Sequence, residues 1–284
     1  MATLAEIRRR IASMKNTQQI TRAMQAVAAS KLRRAQSRSE AARPYADKMA
    51  EVLTEVASRV TTFKHPFLNP REVNKRLLIL VTADRGLAGG LNVNAFRVGL
   101  NYLRQGEGNS IDAIGRKGRD FFRRLRVPIL AEVTGLGDRP ELKDVLPAIT
   151  AAIDEYMAGK VDEVALVYTR FVSTARLEPT VKVLIPVKVP ERKEGPHVDY
   201  VYEPEAEAVL SQLLPRYVEA QVYAAVLENL ASFYSAQMLA MRNATDNAGE
   251  LIDDLTLLRN KVRQATITKE LMEIVGGAEA LAAG

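Results

Sequence analysis

Cysteine and tryptophan are absent from this 284-residue sequence, histidine occurs only at His65 and His197, and aromatic residues make up 6%. Without cysteine there can be no disulfide, no thiol nucleophile and no Cys-ligated zinc. Two scattered histidines argue against His-based metal sites and proton shuttles. The sparse aromatics argue against a surface on which nucleic-acid bases stack. No uncharged apolar run approaches the roughly 18 residues that span a bilayer. The charged N-terminus, with Glu6, has no signal-peptide core. No serine, lysine or carboxylate grouping matches a local catalytic signature, so intrinsic enzyme activity, a metal and a cofactor are not expected.

What is present is a soluble-type composition, 47% hydrophobic and 26% charged, with a net charge of +6. The length allows one or two domains with a sizeable core. The positive balance favours an acidic partner.

The chain reads as three blocks: residues 1–60, 75–195 and 205–284. In the first, Leu4, Ile7, Ile11 and Met14 recur at helical steps, and from Leu32 through Ala35, Ser39, Ala42, Ala46, Met49, Leu53, Val56 and Val60 the spacing is near-heptad. Around Thr17 the apolar stripe shifts to Ile20, Met24 and Val27, which predicts a locally irregular coil. Pro44 removes one helical hydrogen bond without having to end the helix. In the last block Leu213, Tyr217, Ala220, Ala224, Leu227, Ala231, Tyr234, Met238 and Met241 alternate in four- and three-residue steps. The pattern continues through Ala244, Ala248, Leu251, Leu255, Leu258 and Val262. A helix over 205–281 rises about 115 Å, longer than any small domain can cover.

The middle block carries a buried-strand run, RLLILVTA, then the turn DRGLAGGLN and a helical segment. SIDAIG, VDEVALVYTRF and TVKVLIPVKV read as further strands, separated by helices over RKGRDFFRRL and PELKDVLPAITAAIDEYMAG. Alternating strands and helices predict a largely parallel, Rossmann-like sheet, its last two strands able to pair as a hairpin. The predicted fold is α/β with long α-helical extensions: an antiparallel two-helix coiled coil from the terminal segments plus a central Rossmann-like domain. If the two helices start level with each other at the central block, the C-terminal one overhangs by about 20 residues, roughly 30 Å. Its apolar positions then need another protein to cover them.

Two features compete for function. The turn at Asp84, Gly86, Gly89 and Gly90 sits where phosphate-cradling loops sit. Its G-x-x-G-G spacing matches neither a dinucleotide fingerprint nor a P-loop, so a structural turn is the expectation. The second feature is charge. Nine basic residues and no acidic one fall between Arg8 and Arg38: Arg8, Arg9, Arg10, Lys15, Arg22, Lys31, Arg33, Arg34 and Arg38. Glu250, Asp253 and Asp254 are placed to answer part of this run, and acidic partner surfaces the rest. Nucleic acid is disfavoured because no groove-reading module accompanies the charge.

Three stretches, the two terminal ones long, resemble the gamma subunit of F-type ATP synthases: EIRRRIASMKNTQQITRAMQAVAASKLRRAQ, ADRGLAGGLN and AMRNATDNAGELIDDLTLLRNKVRQATITKELMEIVGGAEAL. The resemblance implies a rotating shaft inside a ring of alternating alpha and beta subunits, with its globular end against the epsilon subunit and the membrane c-ring. Nucleotide chemistry would lie on the partners. Ile267, Leu271, Ile274 and Leu281 would form a tip in an apolar bearing. Arg8, Arg9, Arg33, Arg34, Arg259, Lys261 and Arg263 would face acidic beta loops, with Met24, Arg263, Gln264 and Thr268 in a catch region on beta. Lack of a cysteine-bearing insertion and of a transit peptide implies a bacterial protein, peripheral on the cytoplasmic face of the plasma membrane. Two other classes remain: an independent Rossmann-type enzyme with coiled-coil arms, binding a nucleotide at Gly86 to Gly90, and a stalk from a related rotary machine.

Overall fold

The computed structural model describes residues 3–59, 65–189 and 205–282, without the side chains of 58–59 and 279–282. Val60, His197 and the side chain of Leu281 therefore lie outside the described residues. Ten elements run in the order α1 (Leu4–Arg59), β1 (Arg76–Val81), α2 (Leu91–Leu103), β2 (Ser110–Ile114), α3 (Arg116–Arg124), β3 (Ile129–Val133), α4 (Leu142–Met157), β4 (Glu163–Phe171), β5 (Leu177–Ile185) and α5 (Ala206–Ala282). They form two compact units, one of residues 28–237 and one of residues 1–27 with 238–284. None of the described helices is long and apolar enough to cross a membrane.

In the unit of residues 28–237 the sheet order is β3-β2-β1-β4-β5. β1 pairs parallel with β2 and β4, β2 pairs parallel with β3, and β5 closes the edge antiparallel to β4. β1 is buried on both faces, which is why it reads as an unbroken apolar run. Leu77, Ile79 and Val81 face a core with α4, α1 (Leu53, Val56) and α5 (Leu210, Leu214, Val218). Leu78 and Leu80 face a second core with α2 and α3, where Phe96, Phe121 and Phe122 meet ring to ring. Sequence reading missed β3. ILAEV lies at the sheet edge, and its five positions alternate between half-buried and exposed, so no buried apolar run marks it. Pro44 and Pro215 lie inside continuous helices.

In the unit of residues 1–27 with 238–284, Thr3 and Glu6 start α1 with a reciprocal cap. The Glu6 N–H donates to Thr3 Oγ1 (3.3 Å) and the Thr3 N–H to Glu6 Oε2 (2.9 Å). The two helices run antiparallel: Thr21 faces Thr245, and Gln18 lies against Gly249. The expected register shift near Thr17 does not occur. Ile7, Ile11 and Met14 are followed inward by Gln18 and Thr21, while Ile20 and Val27 are 60% and 55% exposed. On α5 the inward positions after Met241 are Thr245, Ala248, Ile252 and Leu255, and the expected Leu251 and Leu258 point outward. Strict four- and three-residue alternation thus outweighs side-chain polarity. The buried hydroxyls make this tolerable, because Thr245 Oγ1 bonds Thr21 Oγ1 at 2.7 Å and the Met241 carbonyl at 2.8 Å.

Glycine need is sharpest at the β2–α3 turn. Gly115 has φ 105°, and a Cβ there would sit 2.1 Å from the Thr82 carbonyl oxygen. One on Gly118 would sit 2.8 Å from Thr82 Oγ1 and 2.9 Å from Leu80 Cδ2. This close approach lets the Gly118 N–H donate to Thr82 Oγ1 at 2.9 Å. Gly118→Ala is expected to cost about 1–3 kcal/mol by overpacking. Exposed Gly86→Ala, with only Lys117 Cε within 4 Å at 3.9 Å, should stay within about 0.5 kcal/mol. Urea unfolding of the purified variants compares them, and equal costs would refute the packing account.

Asp112 lies wholly inside the sheet. One carboxyl oxygen accepts the Ala131 N–H at 2.8 Å, and the other has no partner. Burial pushes its pKa up to about 7 against the opposing Ala131 hydrogen bond, with Glu155 adding to the rise. Between the ordinary carboxylate value and about 7 the folded chain holds a proton that the unfolded chain has released, so stability falls as pH rises through that window. Asp112→Asn should remove this slope, up to about 1.4 kcal/mol per pH unit. Urea midpoints at acidic and near-neutral pH should show the variant gaining on the parent as pH rises; a constant difference would refute it.

Candidate functional site

From Arg263 to Ala278 every side chain of α5 is exposed, including Ile267, Leu271, Met272, Ile274 and Val275. Upstream in the same unit Ile20, Val27, Leu251, Leu257 and Leu258 are exposed as well. Gln18, Thr21 and Thr245 thus take inward positions while these large apolar residues lie outside, a departure from the usual two-helix coil. Of the sequence-selected contacts, Arg8, Arg9, Lys261, Arg263, Gln264 and Thr268 are exposed, whereas Met24 and Arg259 are half-buried. The Arg259 guanidinium donates to Asn260 Oδ1 at 3.3 Å. Arg33 and Arg34 are exposed but belong to the other unit. The expected internal answer to the basic run is not found. No described ion pair joins Glu250, Asp253 or Asp254 to Arg8, Arg9, Arg10 or Lys15, because the heptad turns all of them toward solvent.

Within the unit of residues 28–237, the sheet reverses its strand order at β1 and β4, where open α/β sheets usually take a ligand at the strands' carboxyl ends. Here α5 occupies that crevice. Val226, Asn229, Leu230, Phe233 and Tyr234 line it together with Val81–Arg85 and residues Leu136–Asp138. The remaining space is about 60 Å³, against several hundred for an ordinary small-molecule site. Asp84 is consumed in tying loops together. Its carboxylate accepts the N–H groups of Arg116 (2.9 Å), Gly135 (2.9 Å) and Leu136 (3.1 Å). Leu87 and Gly89 are the left-handed residues of the turn, and Gly90, at φ −83°, opens α2.

Beside the crevice, Lys31 Nζ pairs with Asp138 at 2.6 Å, the Tyr234 hydroxyl donates to the same carboxylate, and Arg38 donates to the Asp138 carbonyl at 2.9 Å. Burial raises the Asp138 pKa, but the hydrogen bonds from Lys31 and Tyr234 outweigh it and hold the group below its ordinary value. Four more polar residues of α5 reach the end of β4. Asn229 Oδ1 accepts the Thr169 N–H (3.1 Å) and Glu228 Oε1 the Phe171 N–H (3.2 Å). The Ser232 and Ser235 hydroxyls donate to the carbonyls of Thr169 (2.8 Å) and Thr174 (2.9 Å). Sequence reading passed over these four. Their signal was a polar set at positions i, i+1, i+4 and i+7 within an otherwise apolar stretch of helix.

With this geometry in place, likeness to known proteins is informative. A family model described as ATP synthase matches residues 3–281. The chain is 47% identical over 288 residues to the ATP synthase gamma chain of Glaesserella parasuis, covering 99% of this chain and 100% of that one. It is 48% identical over 288 residues to that of Coxiella burnetii, with the same coverage. Among solved structures, one of the Euglena gracilis mitochondrial ATP synthase shares the fold at TM-score 0.66 and 20% identity, covering 99% of this chain and 95% of that chain. A match at this identity over the full length of both sequences establishes that the chain belongs to the ATP synthase gamma chain family.

Proposed function

We propose that this chain is the central rotor shaft of an F-type ATP synthase, transmitting torque between a membrane c-ring and a catalytic ring of alpha and beta subunits. Proton flow would thereby be coupled to ATP synthesis or hydrolysis. The observation that carries the reading is the fully exposed, apolar-rich end of α5 from Arg263 to Ala278. An apolar surface of this extent in water calls for a partner that encloses it. Ile267, Leu271, Ile274 and Leu281 are assigned to an apolar bearing in the ring. Arg8, Arg9, Arg33, Arg34, Arg259, Lys261 and Arg263 are assigned to acidic loops of beta, and Met24, Arg263, Gln264 and Thr268 to its catch.

Asp84, Gly86, Gly89 and Gly90 are read as a structural turn, supported by the three loop N–H groups that Asp84 accepts and by the filling of the crevice by α5. On this reading the chain holds no catalytic residue or cofactor, and the nucleotide sites lie on the beta subunits. The epsilon subunit and c-ring are further partners. The chain sits on the cytoplasmic face of a bacterial plasma membrane, associating with it only through the complex, and binds no nucleic acid. An asymmetric shaft biases each of three identical beta subunits toward a different conformation through differential contacts, which is what sequential catalysis requires.

Charge reversal tests the basic contacts. Arg8, Arg9, Arg33 and Arg34 are exposed, so changing all four to Glu should alter stability little, within about 0.5 kcal/mol per site. ATP-driven proton pumping by the reassembled complex should fall. Unchanged hydrolysis and pumping would reduce the run to a solvated face.

The absence of native cysteine permits a direct test of rotation. A cysteine at Lys261, paired with one on the facing loop of beta, should form a disulfide that arrests cooperative ATP turnover, and reduction should restore it. Reoxidation after turnover should link the chain to a beta subunit other than the first, read by isotopic marking of one beta before assembly. Return to the first partner every time would mean a static scaffold.

A further inference from the structure

Strand β4 outruns its neighbour. β1 ends at Val81, and its pairing with β4 stops at Leu80↔Val167. β4 continues to Phe171, held on its other side by β5 as far as Phe171↔Leu177. Backbone groups of Thr169 and Phe171 on the β1 side therefore have no strand to pair with. Thr169 is only 2% exposed, so water does not serve it. α5 supplies the missing partners from side chains. Asn229 takes the Thr169 N–H, Ser232 gives to the Thr169 carbonyl, and Glu228 takes the Phe171 N–H. Ser235 continues the row to the Thr174 carbonyl in the following turn. The hydroxyls of Ser232 and Ser235 belong to residues with no exposed surface, and Asn229 is also buried. The four lie on one face of the helix, spanning eight residues or about two turns.

We infer that this row is a torsional clasp, fixing the rotation of α5 about its own axis against the sheet and carrying twisting load between them. The inference rests on the reading of the chain as a rotor shaft. Apolar packing around a helix is non-directional and constrains its azimuth weakly. Hydrogen bonds lose strength steeply with misalignment, and here a lost bond leaves a buried backbone group unpaired. A turn of one residue, about 100°, would break the whole row at once. Glu228, Asn229, Ser232 and Ser235 are thus positioning residues for torque, distinct from those assigned to partner contact.

The test uses Asn229→Leu/Ser232→Ala, which removes two bonds with little change in volume, and Ser232→Thr, which keeps the hydroxyl. In the full chain, amide exchange at Thr169 should accelerate about tenfold in the double variant, the loss of roughly one hydrogen bond. In vesicles containing the assembled complex, protons pumped per ATP hydrolysed should fall about fivefold while hydrolysis persists. Ser232→Thr should retain both wild-type values. Accelerated exchange with normal coupling would overturn the clasp and leave a purely structural feature. If the double variant fails to assemble, Ser235→Ala is read by the same two measurements and judged by the same outcomes. Failure of the rotor reading itself is distinguishable: the unmodified clasp would then show no exchange of partner in the Lys261 disulfide experiment.

Discussion

The placement of α5 across the carboxyl ends of β1 and β4 is the constraint on which the rest of the unit of residues 28–237 depends. A doubly wound sheet opens a crevice there because the connections leave in opposite directions on either side. Filling it with Val226, Leu230, Phe233 and Tyr234 buries apolar surface that a ligand would otherwise cover. It also creates a problem, because Thr169 in the protruding end of β4 is then cut off from solvent. Side chains of α5 must satisfy its N–H and C=O groups, or each costs the desolvation of an unpaired polar group. The helix is accordingly polar on the face that meets β4 and apolar on the face that meets the core. The position that fills the crevice is the one that fixes the helix.

A second constraint operates in the unit of residues 1–27 with 238–284. Strict heptad register brings Gln18, Thr21 and Thr245 inward and turns Ile20, Val27, Leu251 and Leu258 outward. Exchanging apolar for polar at a seam lowers the stability of an isolated pair of helices, and polar seam residues are known to specify register at such a cost. Thr21 and Thr245 hydrogen-bond each other, so the polar layer is satisfied and favours one alignment over slipped ones. The apolar residues left outside are then available to whatever encloses the pair.

The legible parts of this structure were those written in periodicity. Both long helices, β1, β2, β4 and β5 and their alternation with α2 to α4 followed from apolar spacing and turn residues. β3 did not, because this five-residue edge strand has no buried residue and its side chains alternate between half-buried and exposed. Seam identity failed for a more instructive reason. Apolar spacing alone favoured Ile20, Leu251 and Leu258, whereas the geometry follows the register set upstream by Ile7, Ile11 and Met14. The glycine-rich turn drew attention by composition, yet the glycines that sterics require are Gly115 and Gly118, whose necessity lies in Thr82 and Leu80, remote in sequence. The clasp was likewise invisible, since its need arises from where β1 stops.

The exposed end of α5 raises the question of what keeps it helical. A 16-residue segment without tertiary contacts is marginal as a helix in water, and Gly276 and Gly277 each disfavour helix by about 1 kcal/mol relative to alanine. Local support is small. The Lys269–Glu273 pair at 3.6 Å is a solvent-exposed i,i+4 contact, worth a few tenths of a kcal/mol. Thr266 Oγ1 bonds only its own helix, at the Val262 carbonyl. Intrinsic propensity therefore does not account for the conformation, and burial of Ile267, Leu271, Ile274 and Val275 against an enclosing partner would. On the rotor reading the two glycines have a use, since a helix surface without side chains at Gly276 and Gly277 gives a surrounding collar few protrusions to catch as the shaft turns. On that reading, the feature that weakens this helix in isolation suits it to turning inside an enclosing partner.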